Sequence, residues 1–310
     1  MKFQNIALIG LGAVGCSYAA LMHRSGLNLR IIADEARKAR YEDKGVSVNG
    51  QPIRFSCLLP GESFPADVLF VATKFHHLPQ VVNDIRGCVG KNTVIVSMLN
   101  GLGAEQILSS AYPDNPVLYC RVAGLAVVRT GDDLNLGNLG MWKMGAADNT
   151  VWSEPVAALA ALCDAISMPY EVPADMLHAV WWKLMANVGI NQCSCILRAP
   201  YGVFQTNRDA RNMMLTAMEE VRAVAPSAGV TLTDEDVKQW CDMLDGLTPW
   251  GKTSMLQDIE AGRKTEVEVL AGSVIRAGEK LGVPTPVNAF LLDQIHAMEA
   301  MNAAAKAGSN

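Results

Sequence analysis

The stretch NIALIGLGAVG, residues 5–15, decides how the first half of this chain folds. A short apolar run ends at Gly10, and Gly12 and Gly15 follow where the helical pattern AVGCSYAALMHR begins. This is a G-x-G-x-x-G turn joining a strand to a helix. Gly10 permits the tight turn, Gly12 lets backbone approach a diphosphate, and Gly15 lets helix and strand pack closely. Leu11, Ala13 and Val14 complete the turn, and the unpaired N–H groups at the helix start suit a phosphate. Three glycines could serve packing alone. Their position after the first strand of an α/β region favours a dinucleotide.

Outward from the turn, LNLRIIAD reads as a second strand, and DVLFVAT, NTVIVSML, PVLYCRVAGLAVV and MWKMGA as further ones. Strands alternating with helical segments imply a largely parallel sheet covered on both faces, the later strands being antiparallel additions. Residues 1–173 are therefore expected to form a Rossmann-type α/β domain, closed by Pro173. Residues 174–310 carry almost no β-branched runs and read as an all-α domain, with a cleft between the two. In that half Ser254-x-x-Gln257 has the spacing of a capping box, Thr265 is placed to cap the next helix, and the tail NAAAKAGSN reads as frayed.

Composition narrows the function. The chain has 310 residues, half of them hydrophobic, and a net charge of −5 without a Lys/Arg block. A nucleic-acid or polybasic membrane role is disfavoured. No apolar run is long enough to span a bilayer, and the N-terminal segment, interrupted by Gln4 and Asn5, does not read as a signal peptide. Eight scattered cysteines and five scattered histidines form no zinc pattern, so no metal is expected and the thiols read as reduced core residues of a cytoplasmic protein. His76 and His77 read as surface residues, and Trp181 and Trp182 as interdomain packing.

A second stretch, WWKLMANVGIN at 181–191, carries Lys183, Asn187 and Asn191 at steps of four. Such steps advance about 400° on a helix, so the three polar groups form one stripe roughly 12 Å long. The stripe is either solvated or built to hold an anion or carbonyl, and the helix alone leaves both open. Ser254 is by itself read more readily as a helix N-cap, and Glu266 as an acid favoured by a helix dipole.

Taken in order, GLGAVG at 10–15, ATK at 72–74, LNGLG at 99–103, KLMANVGIN at 183–191 and TSMLQDIEAGRKTEVE at 253–268 resemble the ketopantoate reductase family over essentially the whole chain. The resemblance implies NAD(P)H-dependent reduction of 2-dehydropantoate to (R)-pantoate, on the way to pantothenate and coenzyme A. It makes Lys183 the general acid and Glu266 its catalytic partner at the substrate's hydroxyl end. Asn100, Asn187, Asn191 and Ser254 become substrate-binding residues. Lys74 and Asn100 are placed near nicotinamide and ribose, on the Rossmann side. An ammonium in a water-poor site stabilises a developing alkoxide, and a nearby carboxylate favours its protonated form. Two departures stand out: Gln192 follows the second Asn where proline is common, and Asp34 ends the second strand where many members have an Arg suited to a 2′-phosphate. The family implies NADP(H); Asp34, 24 residues after Gly10, suggests NAD(H). The expected partner is a small 2-keto acid, and assembly as a homodimer is left open. The rivals are a reductase of another 2-keto acid and a non-catalytic NAD(P) sensor, which would need the glycine turn but not the Lys, Asn, Asn, Ser and Glu set.

Overall fold

A computed structural model describes residues 1–307. Its contacts divide the chain into two units, Met1–Leu99 with Gly103–Met176, and Asn100–Leu102 with Leu177 onward.

In the first unit the elements run β1 (Asn5–Ile9), α1 (Ala13–Arg24), β2 (Asn28–Ile32), α2 (Glu35–Asp43), β3 (Val46–Val48), β4 (Gln51–Ile53), β5 (Cys57–Leu58) and β6 (Ala66–Val71). They continue with α3 (Leu78–Asp84), β7 (Val89–Ser97), α4 (Ala104–Ala111), β8 (Val117–Ala123), β9 (Ala126–Thr130), β10 (Asp133–Asn138), β11 (Met141–Gly145), α5 (Glu154–Ala165) and β12 (Tyr170–Glu171). An eight-stranded sheet has the order β12-β11-β8-β7-β6-β1-β2-β5. Strands β1, β6 and β7 are buried on both faces at their centres, which is why they read as unbroken apolar runs. Pairings from β2 through β8 are parallel, and β11 adds antiparallel to β8. β1 lies between β2 and β6, so the chain leaves it in opposite directions on its two sides. That is a topological switch point, where α/β sheets receive ligands.

The run 116–128 does not form one strand. It turns at Gly124, so that β8 joins the large sheet and β9 a four-stranded sheet of order β4-β3-β10-β9. This small sheet escapes the sequence reading because β3 and β4 are only three residues long and β10, DLNLGN, is rich in Asn, Asp and Gly.

The second unit is helical. It comprises α6 (Met176–Leu197), α7 (Tyr201–Thr206), α8 (Arg208–Val224), α9 (Asp234–Asp245), α10 (Ser254–Glu260), α11 (Val267–Leu281) and α12 (Pro286–Ala307). Helix α6 is buried on nearly all sides, as an all-round apolar pattern requires. Trp181 and Trp182 lie in this unit's own core: the Trp182 indole N–H donates to the Asp236 carbonyl at 3.1 Å, and its ring stacks edge-on against Trp240. The tail departs from expectation too, being helical through Ala307; the last three residues lie outside the described ones. Among the described residues no helix is long and apolar enough to cross a membrane, and no His/Cys/Asp/Glu group could hold a metal ion. All eight cysteines are free and seven are buried. Burial pushes the thiols of Cys16 and Cys88 up to about 11, and those of Cys57, Cys163, Cys193 and Cys195 up to about 12.

Candidate active site

The glycine turn has the geometry its sequence requires. Gly10 has φ +100°, a conformation that side chains rarely adopt. A Cβ on Gly15 would lie 2.0 Å from the Gly10 carbonyl oxygen, so helix α1 can approach the strand only without one. Around Gly12 there is nothing within 4 Å of such an atom. Leu11 is buried, while Ala13 and Val14 are partly buried at the start of α1.

A cavity of about 360 Å³ opens at this turn, with Gly10, Leu11, Asp34, Arg37, Thr73 and His77 in its wall. His76 and His77 are exposed, as the sequence reading has them, and His77 also borders this cavity. The Thr73 hydroxyl is buried in the structure without a hydrogen-bond partner. Glycines that leave room, an unused buried hydroxyl and an acid ending β2 fit a dinucleotide cofactor. Lys74, half-buried, follows Thr73 as the chain leaves β6. Thr73 and His77 carry no motif of their own; their place just after a parallel strand's C-terminal end was the available signal.

Asp34 has a second duty that spacing does not reveal. It is the N-cap of α2, its Oδ1 accepting from the Arg37 N–H at 2.8 Å, while the Arg37 Nε lies 3.5 Å from Oδ2. Arg37 is therefore engaged by the Asp34 carboxylate.

In the second unit, α6 presents Lys183, Asn187 and Asn191 as the four-residue spacing requires. Lys183 is half-buried, and Asn187 and Asn191 are each 8% exposed. No described residue hydrogen-bonds to either carboxamide. Gln192 differs in kind. It is wholly buried, its Nε2 donating to the Val188 carbonyl at 2.8 Å and to Asn288 Oδ1 at 3.0 Å, with Oε1 left over. It belongs to the core.

The capping expectation for Ser254 is corrected. The N-cap of α10 is Thr253, whose Oγ1 accepts from the Leu256 N–H at 3.1 Å and which is almost wholly buried. Ser254 occupies the first helical position and is exposed, so its hydroxyl is not spent on the cap. Thr265 partly fulfils its expected role: its hydroxyl accepts from Val267 N–H at 3.3 Å, but Glu266 holds the cap position of α11.

Glu266 Oε2 accepts from Asn100 Nδ2 at 3.1 Å. Asn100 reaches it because Gly101 lies directly on α11, where a Cβ would meet the Val269 side chain at 2.0 Å. Although Asn100 follows β7, it packs with the helical unit rather than on the Rossmann side. The second unit therefore holds all six residues, Lys183, Asn187 and Asn191 on α6, Ser254 on α10, and Glu266 at the start of α11 bonded to Asn100 from the loop after β7.

The comparisons agree with this architecture. The profile described as ketopantoate reductase PanE/ApbA matches residues 6–149, and its C-terminal counterpart matches residues 175–299. A 2-dehydropantoate 2-reductase of Archaeoglobus fulgidus is 27% identical over 309 residues, covering 96% of this chain and 99% of the relative. One from Streptococcus pyogenes is 24% identical over 302 residues, covering 96% and 98%. Among solved structures, a ternary complex of D-mandelate dehydrogenase with NADH and anilino(oxo)acetate superposes with a TM-score of 0.86 at 24% identity, covering 96% of this chain and 99% of that one. Two consecutive family profiles across both units, and relatives aligned end to end, make this chain a member of the ketopantoate reductase family and an NAD(P)-dependent oxidoreductase.

Proposed function

We propose that the chain reduces a small 2-keto acid to its 2-hydroxy acid, with 2-dehydropantoate, yielding (R)-pantoate for pantothenate and coenzyme A synthesis, as the first candidate. The bound nicotinamide supplies the hydride. Lys183 delivers the proton to the carbonyl oxygen, and its charge stabilises the alkoxide as it forms. Asn187 and Asn191 donate to the substrate's oxygens, Ser254 bonds the substrate, and Glu266, held by Asn100, meets the hydroxyl end. The observation that carries the reading is the pair of buried carboxamides on α6, in register with an ammonium and bonded to no described residue. Their polar atoms are not sealed from solvent and are bonded to no described side chain or backbone group, so they are open to a ligand's oxygens.

A second reading keeps the site and changes the acid. Asp34 in the cavity wall favours a cofactor with a free ribose diol, so NADH is at least competitive with NADPH. The structural neighbour named D-mandelate dehydrogenase holds NADH and a different oxoacid. The test is NADH and NADPH oxidation against ketopantoate, 2-ketoisovalerate and benzoylformate. A kcat/KM highest for ketopantoate supports the first reading, and one highest for another acid the second. Tight cofactor binding without turnover of any 2-keto acid would instead leave a nucleotide sensor.

A further inference from the structure

The glycine turn has a neighbour that no motif marks. Arg129, on β9 of the small sheet, sends its Nη1 to donate to the Leu11 backbone carbonyl, between Gly10 and Gly12. The rest of the guanidinium is held in place. Its Nε donates to the Gly131 carbonyl at 2.9 Å, and Nη2 lies 3.8 Å from Asp132 Oδ1, a carboxylate shared with Arg40 at 3.6 Å. The side chain is only 20% exposed.

We propose that Arg129 is a positioning residue for the cofactor's diphosphate, acting through the Leu11–Gly12 peptide; this rests on the nucleotide-binding reading of the first unit. The peptide is planar and trans, so the Leu11 carbonyl and the Gly12 N–H point in opposite directions. Anchoring the carbonyl on Arg129 fixes the direction of that N–H, aimed away from the guanidinium. The next carbonyl, Gly12, is fixed in turn by accepting from the Cys16 N–H at 2.9 Å. The turn thus enters α1 with both carbonyls tethered and with open space beside Gly12. Without Arg129 the Leu11–Gly12 peptide is free to rotate, because Gly12 has no side chain to restrain it. The cavity wall carries Asp34 and Asp84 against Arg37, so a cation on the turn also lowers the cost of seating a dianionic diphosphate there.

The experiment measures binding rather than turnover. Dissociation constants for ADP-ribose and for adenosine are obtained by competition against NADH fluorescence, for wild type and Arg129→Ala. The expected result is an ADP-ribose Kd raised about tenfold, on the scale of a charged hydrogen bond, with the adenosine Kd unchanged. A general disturbance of the fold would weaken both ligands alike and would overturn the proposal, as would an ADP-ribose Kd within twofold of wild type. Should the alanine variant not fold, Arg129→Lys is judged by the same split, since lysine keeps the charge but not the planar fork. Wild type that binds neither NADH nor ADP-ribose would sink the nucleotide reading itself, an outcome distinct from unchanged binding in the variant.

Discussion

Replacing Asp34 by Asn separates the charge of this residue from its structural duty. Asn caps helices as well as Asp, so the bond to the Arg37 N–H survives and α2 keeps its start. What disappears is the negative charge beside the position expected for the ribose. At roughly 6 Å and an effective dielectric near 40, two unit charges repel by about 1.4 kcal/mol, and a 2′-phosphate carries more than one. Two features discount the sum: the Asp34 side chain is 55% exposed, and Arg37 lies 3.5 Å from it. A net penalty of about 1–2 kcal/mol against NADPH remains, or roughly five- to thirtyfold. Asp34→Asn should therefore shift the ratio of kcat/KM for NADPH over NADH by that factor toward NADPH. The amide also loses the carboxylate's grip on the ribose diol, which moves the ratio the same way. Freed from its partner, Arg37 becomes available to the phosphate, so Asp34→Asn/Arg37→Ala should lose part of the gain. The assay is initial-rate oxidation of each cofactor at one saturating keto acid, at low salt and again at about 1 M salt, where screening should shrink the shift. A ratio that moves less than twofold in Asp34→Asn would show that this carboxylate does not face the ribose.

Lys183→Ala should lower kcat by roughly 10²–10⁴-fold while leaving NADH affinity, measured by fluorescence, intact. Thr253→Ala should cost about 0.5–2 kcal/mol in urea unfolding with little change in KM, whereas Ser254→Ala should raise KM for the keto acid and leave the unfolding midpoint alone. Asn191→Leu should hold or raise the melting temperature and abolish turnover; retained activity would remove that carboxamide from the site. Native protein at pH 8 should release about one equivalent of thiol to DTNB, from half-buried Cys241, and all eight only after unfolding, because burial raises the Cys120 thiol well above its ordinary range and those of Cys16, Cys57, Cys88, Cys163, Cys193 and Cys195 to about 11 or 12.

Legibility followed how much of an element's pattern is set locally. Strands β1, β6 and β7 and the long helix α6 announce themselves because burial on every side leaves one kind of residue. The small sheet could not be read, since the local β9–β10 hairpin is completed only by the distant β3 and β4, as in the Leu136 N–H to Asn49 Oδ1 bond across 87 residues. Ser254 was taken for a cap because both Thr253 and Ser254 have capping chemistry, and only the backbone decides which one stands outside the helix. Arg129 was invisible for a similar reason: its partner, the Leu11 carbonyl, lies 118 residues away and has no side-chain signature. The residues proposed for chemistry come from the family resemblance, which carries long-range information that spacing lacks.

The choice between enzyme and sensor turns on the same energetic point. A nucleotide sensor needs the first unit and asks nothing of α6 beyond packing. Core packing would be served best by Leu or Met at 187 and 191, as it is at Leu184 and Met185. The carboxamides of Asn187 and Asn191 are not among the polar atoms sealed from solvent without a partner, so water can reach them, whereas an apolar side chain there would add to the core. The neighbouring Gln192 shows the alternative, an amide at the next position tied to Val188 and Asn288. The helix can satisfy an amide's NH₂ group within the protein where it faces the core. That it does not do so at Asn187 and Asn191, the two positions in register with Lys183, supports the proposal that these amides bond an oxygen-rich substrate.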